Sequence, residues 1–138
     1  MKTKGDFAIA IQILLSCARD PEARLCSAKL AEPVGVHASR IRTIVAKLVK
    51  AGILTAVEGR AGGVQLRRPA AKIDLEEVLR VVDPSPFIKM HETPKSSKCP
   101  VGCGMGKVME AVQAKVEDSA RKSLKSFRLD DLLELACE

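Results

Sequence analysis

Apolar residues near the middle of the chain recur at the three- and four-residue spacing of a helix that buries one face. They are Ile41, Ile44, Val45 and Leu48. This spacing predicts a helix from about His37 to Ala51, and Gly52 is expected to end it in the left-handed conformation. A shorter helix from Ala28 and a turn at Gly35 precede it. The two helices therefore have the pattern of a helix–turn–helix.

A β-hairpin is predicted directly after this helix pair. Residues 53–57 and 64–67 are short apolar runs, and the turn between them holds three glycines and Arg60. Glycine gives such a turn the freedom to bring its backbone against phosphate groups. A hairpin in this place is the wing of a winged helix.

The first helix is predicted from Phe7 to about Arg19, with Asp6 as its cap. It is apolar on nearly every face, and a helix of that kind must be covered on all sides. One small domain is expected to cover about half of it, so a second surface is required.

The sequence around Ile73–Val78 carries the signals of another helix start. Asp74 and Glu77 are spaced as a capping box, and Ile73 can pack on Val78 as a hydrophobic staple. The helix is expected to reach about Val82.

A long amphipathic helix of about 20 residues is predicted near the end of the chain. Its apolar stripe is Met105, Val108, Val112, Val116, Ala120, Leu124 and Phe127. A final short helix from Leu129 to Ala136 is expected to pack back onto it. Because the chain has no second long helix, we predict a two-fold homodimer in which the long helix and the first helix are covered across the interface.

These elements predict a mainly α protein with a small β-hairpin wing. Residues 1–83 are expected to form a winged helix–turn–helix DNA-binding domain, 84–106 a cysteine-containing sensor loop, and 107–138 a dimerisation helix and a short C-terminal helix. No apolar run approaches the ~20 residues of a membrane span, and no signal-peptide pattern precedes Asp6. A cytoplasmic location without a membrane partner is expected.

The charge distribution indicates double-stranded DNA as the partner. The net charge is +6, and residues 19–72 hold eleven Lys and Arg against four Asp and Glu. The excess positive charge therefore lies on the helix pair and the wing, as phosphate binding requires. The candidate DNA-binding residues are His37, Ser39, Arg40, Arg42, Thr43, Lys47, Lys50, Arg60, Gly62, Gly63 and Gln65. A protein-binding winged helix without a sensor is the alternative, but it would not need this segregation of charge.

The chain resembles the Rrf-two family of bacterial winged-helix regulators. The resemblance rests on residues 6–10, 30–36, 41–52, 60–66 with Pro69, 73–78 and 99–102. It implies a homodimer that binds palindromic operators and senses a signal through cysteines in the loop, by an iron–sulfur cluster or by thiol chemistry. The role expected for such a regulator here is that of a repressor. Four positions depart from the family pattern: Val64 replaces an aromatic residue, His37-Ala38 replaces Ser-Pro, and Arg40 replaces an aromatic residue. These departures concern the operator sequence rather than the mode of binding.

Five cysteines are the candidates for sensing, and their odd number argues against a framework of structural disulfides. Cys26 is expected at a helix N-terminus beside Arg24 and Lys29, where the helix dipole and positive charge lower a thiol pKa. Cys99 and Cys103 form a C-x3-C pair on the glycine-rich loop. All three are candidates for redox sensing by thiol oxidation, whereas Cys17 is expected to be an inert core residue.

An iron–sulfur cluster or another metal site is a second possibility for the loop. Its candidate ligands are Cys99, Cys103 and His91, and this set is incomplete. Glu92, or Asp6 of the partner subunit, could complete it. The resemblance implies three cysteines in the loop of a cluster-binding relative, whereas the loop of this chain has two. No cofactor is therefore certain.

An enzyme is not expected. The chain has two histidines and no tyrosine, and it lacks both a Ser/His/Asp pattern and a phosphate-binding loop in a plausible context. The C-x-x-C motif of thiol oxidoreductases is also absent.

Overall fold

A computed structural model describes residues 5–88 and 98–137. Its elements are α1 (Gly5–Arg19), α2 (Ser27–Val34), α3 (Ala38–Lys50), β1 (Leu54–Val57), β2 (Gly63–Leu66), a 3-10 turn (Ala70–Lys72), α4 (Leu75–Val82), α5 (Pro100–Lys125) and α6 (Leu129–Ala136). The predicted fold class, mainly helical with one small hairpin, is confirmed. No helix among the described residues is long and apolar enough to cross a membrane.

The helix α1 lies at the centre of the core. It packs against α2, α3, α4, α6 and β2, and Ile13 and Leu14 on it are fully buried. Of its apolar residues, Ala8 is exposed and Phe7, Ile11 and Leu15 are half-buried. The second surface that the sequence requires is therefore supplied in part by α6 of the same chain, where a partner was expected.

The helix α3 buries the face that the sequence predicts. Ile41, Ile44 and Leu48 are buried, and Val45 is half-buried against the core. Gly52 follows the helix with φ 77°, the left-handed conformation expected for it.

The hairpin is antiparallel and is extended by one residue from before α2. Leu54 pairs with Leu66 and Val57 with Gly63. Leu25 also pairs with Val64 through two backbone hydrogen bonds, of 3.2 and 2.9 Å. The wing is thus anchored to the segment that leads into α2.

The start of α4 shows half of the predicted capping box. Asp74 accepts a hydrogen bond of 2.9 Å from the Glu77 N–H, and Ile73 and Val78 are both buried. The Glu77 carboxylate instead binds Arg68, 2.7 Å away. This ion pair fixes the end of the wing to α4.

The long helix begins earlier than predicted. The structure starts α5 at Pro100, not near 107, so the expected loop over 84–106 is wrong in its last residues. Proline is favoured in the first turn of a helix because it has no N–H to leave unpaired. Cys99 is consequently the N-cap of α5, and Cys103 lies inside the helix.

The last helix does not pack back onto α5 as expected. It contacts α1 and the 3-10 turn, and Leu129 is completely buried in the core. Two backbone hydrogen bonds hold the chain there, from Leu129 N–H to Ile73 O at 2.9 Å and from Leu75 N–H to Phe127 O at 3.1 Å. The chain therefore returns to the domain after α5.

Candidate nucleic-acid interface

The buried face of α3 determines which of its side chains reach solvent. Successive residues turn by about 100°, so the positions opposite the buried residues form one exposed face. We call these residues the reading face: Ser39, Arg42, Thr43, Ala46 and Lys50. All five are exposed. Four of them offer side-chain hydrogen-bond donors and two of those carry positive charge, which suits a major groove. Ala46 is absent from the sequence-based candidates, although the helical repeat that orients α3 places it here.

The start of α3 is held by a histidine. His37 Nδ1 accepts a hydrogen bond of 3.1 Å from the Ser39 N–H and lies 2.9 Å from Ser39 Oγ. The Thr43 hydroxyl donates to the Ser39 carbonyl at 3.1 Å. Nδ1 of His37 therefore serves the helix cap, and Ser39 and Thr43 have defined positions on the reading face.

Arg40 and Lys47 lie on a flank of α3 rather than on the reading face. The Arg40 Nη2 and Nε atoms are 2.7 and 3.0 Å from Asp6 Oδ1 on α1. Lys47 Nζ donates to the Val82 carbonyl at the end of α4, at 3.3 Å. Both cations therefore face α1 and α4, beside the reading face, although the sequence names them among the candidates for DNA contact.

The wing presents Arg60 at its exposed tip. Gly59 has φ 104°, and the Gly62 N–H closes the turn onto the Gly59 carbonyl at 3.0 Å. Arg24 Nη1 donates to the Ala61 carbonyl at 3.4 Å. Arg24 thus braces the turn from the short segment before α2, a role that the sequence alone does not indicate.

Gly62 and Gly63 are required by the wing's own packing. A Cβ on Gly62 would lie 2.1 Å from the Val57 carbonyl oxygen. A Cβ on Gly63 would lie 2.8 Å from Leu25 N, and the φ of Gly63 is 148°. Their presence in the sequence is therefore explained without a phosphate contact.

The Gln65 side chain is engaged within the chain. Its Nε2 donates to the carbonyls of Pro21 and Glu22, at 3.2 and 3.0 Å. Gln65 therefore ties β2 to the turn after α1, and its amide nitrogen is not directed at a partner.

A groove of about 720 Å³ separates α3 from the wing. Arg42 and Lys50 border it on the helix side, and Val57 and Gly59 border it on the wing side. Cys26 also lines this groove, next to the start of α2. The groove therefore joins the reading face, the wing and an exposed thiol in one surface.

The five cysteines have different surroundings, and none forms a disulfide. Cys17 is buried, and burial raises the pKa of its thiol to about 11, which makes it the inert core residue expected. Cys26 is the exposed N-cap of α2. Hydrogen bonds from the backbone N–H groups of Gly102 and Val101 lower the pKa of the exposed Cys99 thiol.

The described residues do not complete a metal site. Cys99 and Cys103 are both exposed and lie one helical turn apart, with the Cys103 N–H bonded to the Cys99 carbonyl at 3.0 Å. Within 5–88 and 98–137, no three His, Cys, Asp or Glu residues are grouped as ligands. His91 and Glu92 lie outside the described residues, and Asp6 is paired with Arg40.

Comparison with known proteins places nearly the whole chain in one family. A family model named Rrf2 and described as an iron-dependent transcriptional regulator matches residues 1–135. Protein aau3 of Rhizobium meliloti (strain 1021) is 30% identical over 128 residues, which cover 90% of this chain and 79% of that protein.

Two solved structures share the fold. IscR of T. potens is 24% identical, with a TM-score of 0.73 over 99% of this chain and 88% of that one. CymR of Staphylococcus aureus in its oxidised form is 22% identical, with a TM-score of 0.72 over 97% of both chains. Since the family match spans the described structure, this chain belongs to the Rrf2 family of DNA-binding transcriptional regulators and is not an enzyme.

Proposed function

We propose that the protein is a homodimeric repressor that binds a palindromic DNA operator, with an affinity that cysteine oxidation changes. The observation that carries the DNA-binding part is the exposed reading face of α3 beside an arginine-tipped wing, in the most basic part of the chain. Ser39, Arg42 and Thr43 are assigned to base edges or phosphates of the major groove. Lys50 is assigned to phosphate, and Arg60 to the adjacent minor groove.

The wing assignment is tested with Arg60→Ala on an operator selected from random-sequence DNA. A groove-reading arginine is expected to contribute roughly 1–3 kcal/mol to binding. Arg80→Ala is the matched control, because Arg80 is exposed on α4, away from the wing, and pairs with Glu76 of the same helix. Equal affinity of the Arg60 variant and wild type would remove the wing from the mechanism.

The exposed apolar stripe of α5 supports the homodimer. Val101, Val108, Val112 and Val116 fall on one side of the helix and expose between 38 and 69% of their surface. No α5 residue is buried within the chain. A second copy of the same helix would cover these valines about a two-fold axis. Residues 1–83 would then bind DNA and α5 would hold the two copies together.

Oxidation can reach the interface at two places. Cys26 lies in the groove beside Arg42 and Lys50, and Cys99 and Cys103 lie at the start of the proposed dimer helix. A thiolate attacks a peroxide oxygen, forms a sulfenic acid and releases hydroxide. A second thiol can then form a disulfide with loss of water. Either product changes the bulk and polarity of the groove or the geometry of α5, and the similarity to a CymR with an oxidised form supports the proposal.

The redox part is tested by measuring operator binding before and after peroxide treatment. Wild type is compared with Cys26→Ser and with the double variant Cys99→Ser/Cys103→Ser. The variant that abolishes the response identifies the sensing thiol. If reduced and oxidised wild type bind alike, with no metal in either sample, thiol sensing is wrong.

Metal sensing is the second candidate. It is favoured by the family description, iron-dependent, and by the two exposed cysteines one turn apart. An absorption spectrum of protein purified without oxygen separates the two candidates, because an iron–sulfur cluster absorbs visible light and the thiols of the chain do not. A visible band that disappears in Cys99→Ser/Cys103→Ser would assign the sensor to a cluster.

A further inference from the structure

The ion pair between Asp6 and Arg40 connects the first helix to the flank of α3. Both Nη2 and Nε of Arg40 bind the same carboxylate oxygen, at 2.7 and 3.0 Å. The two side chains are 39% (Asp6) and 49% (Arg40) exposed, so solvent reaches the pair. An exposed pair of this kind contributes little to stability, so another anion can replace the carboxylate.

Arg40 projects away from the reading face but stays within reach of DNA. It leaves α3 about 160° around the helix from Arg42. A major groove about 12 Å wide fits closely around a helix, so the phosphates of both strands run along its flanks. A released Arg40 side chain would therefore meet phosphate rather than bases.

The surroundings leave Arg40 room to move. Among the described residues, Asp6 and Arg40 border an open cavity of about 610 Å³, together with Lys47, Val82 and Asp83. The Asp83 carboxylate is hydrogen-bonded to the backbone and hydroxyl of Ser85. Lys47, the other cation at the cavity, binds the Val82 carbonyl. Asp6 is consequently the carboxylate that holds Arg40.

We propose that Asp6 competes with the DNA backbone for Arg40 and so sets the strength and salt dependence of DNA binding. While the pair is closed, Arg40 makes no phosphate contact, because its charge is cancelled by the Asp6 carboxylate. When the carboxylate is neutralised, the guanidinium is free to bind a phosphate. Asp6 is thus a positioning residue that acts through Arg40, and the proposal rests on the assignment of α3 to the major groove.

The test is a double-mutant cycle of Asp6→Asn and Arg40→Gln, read out as DNA affinity across a salt series. Asp6→Asn is expected to tighten binding about two- to fivefold, the equivalent of the exposed pair that no longer has to be broken. The slope of log affinity against log salt should steepen by about 0.9 for each α3 that engages DNA, because one more phosphate is neutralised. Arg40→Gln alone should change both quantities little.

Two controls separate this effect from charge and from folding. In the Arg40→Gln background, adding Asp6→Asn should give no gain over Arg40→Gln alone, whereas a general effect of one extra positive charge would persist there. Asp6→Glu keeps the carboxylate and should retain the wild-type slope. Thermal unfolding of each variant checks that the contact between α1 and α3 survives.

The outcomes are distinguishable. A gain that persists without Arg40, or an unchanged slope in Asp6→Asn, overturns the competition. Weaker binding in both single variants would show instead that Asp6 orients Arg40 toward DNA, which also overturns it. Failure of wild type itself to bind any selected DNA would contradict the proposed function, not this ion pair.

Discussion

His37 is an unusual residue at the start of a helix, where Ser, Thr, Asn and Asp are the usual caps. Its Nδ1 accepts from the Ser39 N–H, which assigns to the imidazole the role of a helix cap. This assignment makes the imidazole part of the support of the reading face. A family position that commonly holds Ser-Pro is thus occupied by a side chain that performs the same capping task.

Removing this cap is expected to destabilise the domain. His37→Ala should lower the free energy of unfolding by about 0.5–2 kcal/mol, measured by urea denaturation, because an N–H at the start of α3 loses its acceptor. His37→Asn supplies another cap acceptor and should restore most of the loss. Equal stability of the alanine and asparagine variants would show that the cap contributes nothing.

Thiol reactivity should follow the different surroundings of the cysteines. The lowered pKa of Cys99 means that its thiolate forms at lower pH than that of an ordinary thiol, so its alkylation by iodoacetamide should reach half its maximal rate at lower pH than a free-thiol peptide does. Cys17, with a pKa raised to about 11 and a buried side chain, should react last. Mass spectrometry of each cysteine across pH gives the order, and rapid labelling of Cys17 in folded protein would contradict it.

At the scale of the elements, the wing depends on a close approach between β2 and the segment before α2. Gly63→Ala would place a Cβ 2.8 Å from the backbone of Arg24 and Leu25, at a φ that L side chains rarely adopt. We expect a loss of about 1–3 kcal/mol in stability together with weaker DNA binding. Gly104→Ala is the control, since a Cβ there meets nothing within 4 Å and alanine favours the helix. A Gly63 variant as stable as wild type would show that the backbone pairing of Leu25 with Val64 can shift to make room for the Cβ.

The exposed valine stripe of α5 should be necessary for dimerisation. Val112→Glu should convert the proposed dimer into a monomer at micromolar concentration in sedimentation experiments, because a carboxylate would have to be buried in an apolar contact. Ala114 is exposed on the opposite side of the same helix, so Ala114→Glu should leave the dimer intact. Dissociation by both variants, or by neither, would place the interface elsewhere.

The sequence was sufficient for the elements whose signals are local. The apolar repeat of α3 predicted its buried face, and the glycines predicted the hairpin between β1 and β2. The start of α5 was missed because Gly102, Gly104 and Gly106 suggested a loop, although proline at the first helical position favours a helix there. The return of α6 to α1 depends on the burial of Leu129 against residues far along the chain, which no local pattern reports.

In the candidate site, too, local patterns predicted some residues, whereas contacts distant in sequence determined the placement of others. Ser39, Arg42, Thr43 and Lys50 followed from the helical repeat, which places them opposite the core. The same repeat also placed Arg40 on that face, and Gln65 was selected with the wing motif. Both have partners distant in sequence, at Asp6 and at the 21–22 turn. A cation or an amide near a predicted interface can therefore be committed to its own chain, and only the packing of α1 reveals it.

For the whole molecule, the docking of α6 has a geometric consequence. Leu129 is buried in the DNA-binding domain, and the Phe127 carbonyl accepts a hydrogen bond from the Leu75 N–H. The C-terminal end of α5 is therefore fixed to the domain and has no hinge there. In the proposed dimer, the separation of the two α3 helices is then a fixed length, about one duplex turn of ~34 Å.

A fixed separation of the two α3 helices restricts the number of base pairs between the half-sites that the dimer can bind. Inserting five base pairs at the centre of the operator should turn the half-sites to opposite sides of the duplex and abolish two-headed binding. Inserting ten base pairs returns the half-sites to the same side of the duplex but moves them apart by another ~34 Å. A dimer with a hinge could still bind both half-sites, whereas a rigid dimer could not. We therefore expect no recovery at ten, so the operators that this regulator can use are limited by their spacing as strictly as by their bases.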